Sequence, residues 1–131
     1  MVSLENLSVT DVTIVNKMDL KDAEVQIGVN HTVTNFPDQN RCMCDTSVTL
    51  IPKDSKPEDP KFKVYINLKS NYTYSQDSSL ATIHVETFGD IFPHLRSITA
   101  TAMSSALIPP LYLPNMTQEY SEGVKSGTVK I

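Results

Sequence analysis

No gap between the strand-like runs in the first 76 residues is long enough for a crossover helix, and this restricts the fold more than any other feature of the chain. Val25, Ile27, Val29, His31 and Val33 alternate with Glu24, Gln26, Gly28, Asn30 and Thr32, the plainest period of two present. Such a strand has one core face and one wet face. Before it, residues 7–16 are rich in Val, Ile and Thr, and their alternation changes phase near Asp11, as a bulge would cause. Residues 17–22 read as a polar turn. After the breakers Pro37, Asp38 and Asn40, a third strand returns from Arg41 to about Ile51 with Cys42, Cys44, Thr46, Val48 and Leu50 on one face. Residues 52–60, with three prolines and mixed charges, form a hairpin tip. From Lys61 the alternation resumes, turning Phe62, Val64, Ile66 and Leu68 inward and running on through Tyr72 and Tyr74. Hairpin connections throughout predict a four-stranded antiparallel meander.

Helical patterning takes over beyond the sheet. Residues 76–79 offer capping types ahead of Leu80, Ile83, His84, Thr87 and Phe88, which fit a helical face, although Thr82, Ile83 and Val85 favour a strand by propensity. The helical reading breaks at Gly89, and Asp90 then caps a second stretch with Pro93 in its first turn. There Phe92, Leu95, Thr99, Ala102, Met103 and Ala106 make one continuous face, and the surrounding Ser, Thr and Ala residues leave the helix narrow enough for close packing. Thr99, Ala102, Met103 and Ala106 are the residues expected at an oligomer contact. Pro109, Pro110 and Pro114 then hold an extended apolar loop over 108–114, and a short second helix follows at 117–122. The expected architecture is a single α+β domain over 1–131: a meander sheet in about 1–76, a long broken helix and a short second helix within 79–122, and a tail at 123–131.

The run I-F-P-H-L-R, followed after a helical stretch by I-P-P-L-Y-L-P-N, resembles the signature of the SecB protein-export chaperone family. In that family a Phe-Pro-aromatic-x-Arg helix start is followed at the same distance by an aromatic-Pro-x-Leu-x-Leu loop. Phe92, Pro93 and Arg96 match the helix start; Ile108, Pro109, Leu111 and Leu113 match the loop. The resemblance implies a homotetramer, a dimer of dimers with the long helices sandwiched between two sheets. It implies an ATP-independent holdase that keeps unfolded precursors competent for export, with no cofactor. It further implies the SecA motor as a partner, reached through acidic positions on the outer sheet and the C-terminal tail. This sequence departs from the family there, because its strands carry few acids beyond Glu24 and Asp45 and its tail has no acidic cluster. The client groove is expected at Phe88, Phe92, Ile108, Leu111, Tyr112 and Leu113.

A formal charge of -4 over 131 residues offers nothing to nucleic acid or anionic lipid, and no stretch approaches the roughly 18 apolar residues of a membrane helix. With no basic, apolar start resembling a signal peptide, a cytoplasmic protein is expected. Four N-x-S/T triplets, at Asn6, Asn30, Asn71 and Asn115, keep open a secreted β-rich ligand-binding domain. A dedicated chaperone of an antitoxin, or of another single partner, is the other alternative. Cys42 and Cys44 have no second pair, and His31, His84 and His94 are far apart in sequence, so no metal site is expected. No nucleophile elbow or phosphate-cradling loop exists either; the expectation is a binding protein, not an enzyme, with no catalytic residue.

Overall fold

The computed structural model describes residues 2–17, 24–53, 61–108 and 113–127. The expected turn at 17–22, the hairpin tip at 52–60 and the proline loop therefore fall largely outside the described residues, as do Leu111, Tyr112 and the end of the tail. Four strands, β1 (Val2–Asn16), β2 (Val25–Phe36), β3 (Arg41–Pro52) and β4 (Phe62–Tyr74), form one antiparallel sheet. Two helices follow, α1 (Leu80–Ser105) and α2 (Thr117–Ser126). This is the α+β arrangement expected.

The strand order is β1-β4-β3-β2, so the meander holds only for β2, β3 and β4. β1 pairs with β4 at the opposite edge, giving a Greek-key order in place of a first hairpin. Reach permits this order: β1 ends and β2 begins at the same end of the sheet, three inter-strand spacings or roughly 14 Å apart, and eight residues extend to roughly 26 Å. β1 carries register shifts between Leu4 and Asn6 and between Val9 and Asp11, the second at the phase change seen in the sequence.

The inner rows of β3 and β4 are buried along their length: Cys42, Cys44, Thr46, Val48 and Leu50, then Phe62, Val64, Ile66, Leu68, Ser70 and Tyr72. α1 packs on these two strands. It is one helix of 26 residues, about 39 Å long, and the break expected at Gly89 does not occur. Ser79 is its N-cap, accepting a hydrogen bond from the Thr82 amide at 3.1 Å. Asp90 lies inside the helix and caps nothing; its carboxylate accepts from the Tyr72 hydroxyl at 2.8 Å. The buried series Ile83, His84, Thr87, Phe88, Ile91, Phe92, Leu95, Thr99, Met103 runs without interruption through Gly89 and Pro93. Burying that stripe outweighs the roughly 1 kcal/mol for Gly and 3 kcal/mol for Pro that helix propensity sets against it. Pro93 faces solvent, and Gly89 lies beside α2, where an added Cβ would meet Thr117 Cγ2 at 3.4 Å, an ordinary van der Waals contact.

Candidate functional site

The strict alternation of β2 turns Val25, Val29, His31 and Val33 toward the helical layer, but β2 is an edge strand that α1 leaves half-covered. α2 lies across this end of α1, where Met116 and Tyr120 pack against the core. Between β2, α1 and α2 opens a groove of ≈ 190 Å³ lined by Val29, His31, Phe88, Met116, Glu119 and Tyr120. Its walls are mainly apolar and its one carboxylate is Glu119.

Aromatic contacts join the three elements. Tyr120 stacks on Phe88 at 4.1 Å between ring centroids, and Phe88 stacks on Phe92 at 5.1 Å. His31 meets Phe88, Tyr120 and His84 edge-on at 5.4, 5.7 and 6.4 Å. The Thr87 hydroxyl donates to the Ile83 carbonyl at 2.8 Å, so it accepts from His31 Nε2–H at 2.9 Å, while the Thr46 hydroxyl donates to Nδ1 at 2.7 Å. These partners assign the neutral Nε2–H tautomer. The Tyr120 hydroxyl reaches His84 Nδ1 at 3.3 Å. Burial, with the neighbouring His84 as a second cause, pushes His31 down to about 3, and burial lowers His84 as well. Burial and then the Cys44 thiol raise Tyr120 to about 12. At neutral pH the aromatic cluster is uncharged and both His31 nitrogens are engaged, which suits a wall that binds apolar groups.

The expected groove residues divide into three sets. Phe88 is 1% exposed and closes the floor of the groove; Phe92, 0% exposed, sits behind it in the core. Ile108 and Leu113 are buried in the same core cluster. Leu111 and Tyr112 lie outside the described residues. Of the expected oligomer contacts, Thr99 and Met103 are buried against the protomer's own sheet, because their side of α1 is the core side, and Ala102 and Ala106 are half-buried beside them. The small residues that the C-terminal half of α1 turns outward are Ser97, Ala100, Thr101, Ser104 and Ser105. Cys42 and Cys44 are buried on one face, as expected. Among the described residues no group of His, Cys, Asp and Glu could hold a metal ion.

Sequence reasoning overlooked His31, His84, Met116, Glu119 and Tyr120 as one site. Half the signal was available: His31 stood on the apolar face of its strand and His84 on the apolar face of its helix, and two faces that pack together bring such residues into contact. Nothing in the sequence indicated where α2 would dock.

Neither a family model nor a curated protein matches this sequence. Among solved structures, the fold is similar to that of a SecB-like chaperone of Mycobacterium tuberculosis, solved in complex with a ChAD peptide from the HigA1 antitoxin. The TM-score is 0.65 at 10% identity, over 86% of each chain. A Streptococcus agalactiae protein of unknown function gives a TM-score of 0.44 at 11% identity, over 87% of this chain and 97% of that one, a likeness too distant to build on. The protein thus has a SecB-like fold, an antiparallel sheet carrying a long helix and a short one. At 10% identity the likeness is one of architecture.

Proposed function

We propose that the protein is a SecB-like chaperone that holds unfolded polypeptide, without ATP, in the groove between β2 and α2. The observation that carries this reading is an apolar, aromatic-floored groove at the open edge of a SecB-like sheet, where Val29, Met116 and Tyr120 offer contact area without a catalytic constellation. Holding by such a surface is tolerant of client sequence, since affinity comes from several weak apolar contacts engaged together.

The active form in this proposal is a cytoplasmic homotetramer acting in protein export, with SecA as a further partner. Support for self-association comes from β1. On the helix side of the sheet Leu4, Val9 and Val12 are 37, 46 and 51% exposed, an apolar row that the protomer's own helix leaves uncovered. A second copy would cover it and bring the outward small residues of α1 against another helix.

The test is light scattering of a chemically unfolded, aggregation-prone precursor diluted into buffer with and without the protein, ATP absent. Suppression by the parent, lost in Met116→Asp and Val29→Asp variants of unchanged circular dichroism, supports the reading. A folded protein that suppresses nothing overturns it. A dedicated chaperone is the second reading, favoured by the antitoxin peptide bound in the M. tuberculosis structure. Such a protein would protect one partner and leave a panel of unrelated precursors to aggregate.

A further inference from the structure

α1 and α2 meet across a pair of imidazoles. His84 of α1 is 5% exposed, and its Nδ1 lies 3.3 Å from the Tyr120 hydroxyl of α2. His31 of β2 stands 6.4 Å away between ring centroids, with Nδ1 engaged by Thr46 and Nε2 by Thr87. It has no free lone pair to offer a charged neighbour. Tyr120 touches both rings, His84 through its hydroxyl and His31 edge-on at 5.7 Å.

The groups packed around the pair offer it no counter-charge. β3 brings the Cys44 thiol, kept protonated by its bond with Cys42 and by burial. β4 brings Tyr72, kept protonated by burial and by its bond to Asp90. α2 brings Tyr120 itself, pushed up to about 12 by burial and then by Cys44. The carboxylate of Glu86 on α1 turns toward β1, where it accepts from the Val2 amide at 3.3 Å. Glu119 lines the groove but is exposed, and the ion pairs among the described residues, Arg41 with Glu5 and Lys53 with Glu24, include neither imidazole.

A proton added to His84 thus enters a site built for a neutral ring. Burial lowers the ring's affinity for a proton while α2 is seated; in water the ordinary value is 6.5. The least costly way to admit water is to move α2. The buried stripe from Ile83 to Met103 fixes α1 to the sheet, whereas α2 is ten residues long and rests on Met116, Tyr120 and Val124. Of these three, Tyr120 lies directly on the titrating rings.

We propose that α2 is an acid-released wall: a proton taken up by His84 lifts Tyr120 and Met116 away from α1, while the sheet and α1 remain folded. Because uptake is easier with α2 away, the ratio of released to seated α2 rises by up to about tenfold for each pH unit below 6.5. Release removes one side of the groove, so a client held there leaves in mild acid. That consequence rests on the holdase reading; the movement of α2 takes place in the free protein and does not.

The test is a carbon and nitrogen NMR titration of the whole, free protein from about pH 7.5 to about pH 4.5. The His84 ring, the Tyr120 ring, the Met116 methyl and the amides of α2 should move together with one midpoint below 6.5, the amides of β3 and β4 keeping their positions. His84→Gln retains a hydrogen-bonding side chain that cannot take the charge, and should hold the α2 signals fixed across the range. α2 signals that stay fixed in the parent overturn the proposal. Loss of the β3 and β4 signals together with α2 is global unfolding and overturns it as well. So does an unchanged release in His84→Gln, which moves the trigger to Glu119 or another group. Should that variant fail to fold, the parent alone decides, because an α2 midpoint separate from that of His84 overturns the proposal. A protein that moves α2 in acid yet protects no precursor at neutral pH loses the holdase reading and keeps the switch.

Discussion

His31 is the groove residue whose protonation the fold opposes strongly. In the unfolded chain it titrates near 6.5; in the fold, burial and the nearby His84 hold it near 3. Because the folded value is depressed, the unfolded state binds more protons between those limits. The stability that neutral His31 permits is complete above pH 6.5 and drains away as the pH falls. The slope is about 1.4 kcal/mol per pH unit, and His84, lowered by burial in the same cluster, acts in the same direction. Urea unfolding at pH 7 and pH 5 should therefore differ by roughly 2 kcal/mol, and His31→Gln should flatten the dependence. Phe88 holds the site together from beneath: it stacks on Phe92 and on Tyr120 and is almost fully buried. Phe88→Ala should lower unfolding stability by about 3–5 kcal/mol, and near-ultraviolet circular dichroism should report the loss of the Tyr120 stack.

At the scale of elements, α1 shows a local preference overridden by packing. Pro93 lies mid-helix, lacks the amide that would bond the Gly89 carbonyl, and touches solvent. Its replacement by Ala restores that bond without disturbing the buried stripe. Pro93→Ala should raise thermal and chemical stability by about 2 kcal/mol, the helix gain less the greater freedom of the unfolded chain. α2 is held differently. It is ten residues long, too short to persist alone, and rests on Met116, Tyr120 and Val124 together with a left-handed Gly127 at its C-terminus. The groove thus has one rigid wall, the sheet, and one wall whose position depends on a few aromatic contacts.

For the molecule as a whole, the exposed row on β1 is the feature that a lone protomer does not account for. Val12 is half exposed in the protomer, so a charge there should change the stability of an isolated chain by little, within about 0.5 kcal/mol. In an assembly that buries this row, the same charge has no counter-ion. Val9→Lys with Val12→Lys should convert the oligomer to a folded monomer, seen as a fall in molar mass by size-exclusion chromatography with light scattering and an unchanged far-ultraviolet spectrum. A parent that is itself a monomer would remove the tetramer from the proposal.

The sequence by itself determined the elements and their faces. Period two in residues 25–33, 41–50 and 61–74 placed the inner rows of β2, β3 and β4, and the phase change at Asp11 placed a bulge. The spacing of Phe92, Leu95, Thr99 and Met103 placed the buried side of α1. Each follows from geometry local to a few residues: a pleat of two, a helical turn of 3.6. Only the tertiary structure decided that β1 crosses to the far edge, that α1 runs through Gly89 and Pro93, and that α2 docks where Tyr120 meets His84 and Phe88. Those outcomes depend on which apolar surface covers which, a competition among segments distant in sequence, and local periodicity does not encode it. The groove is a product of that competition, so its floor was visible in the sequence while its far wall was not.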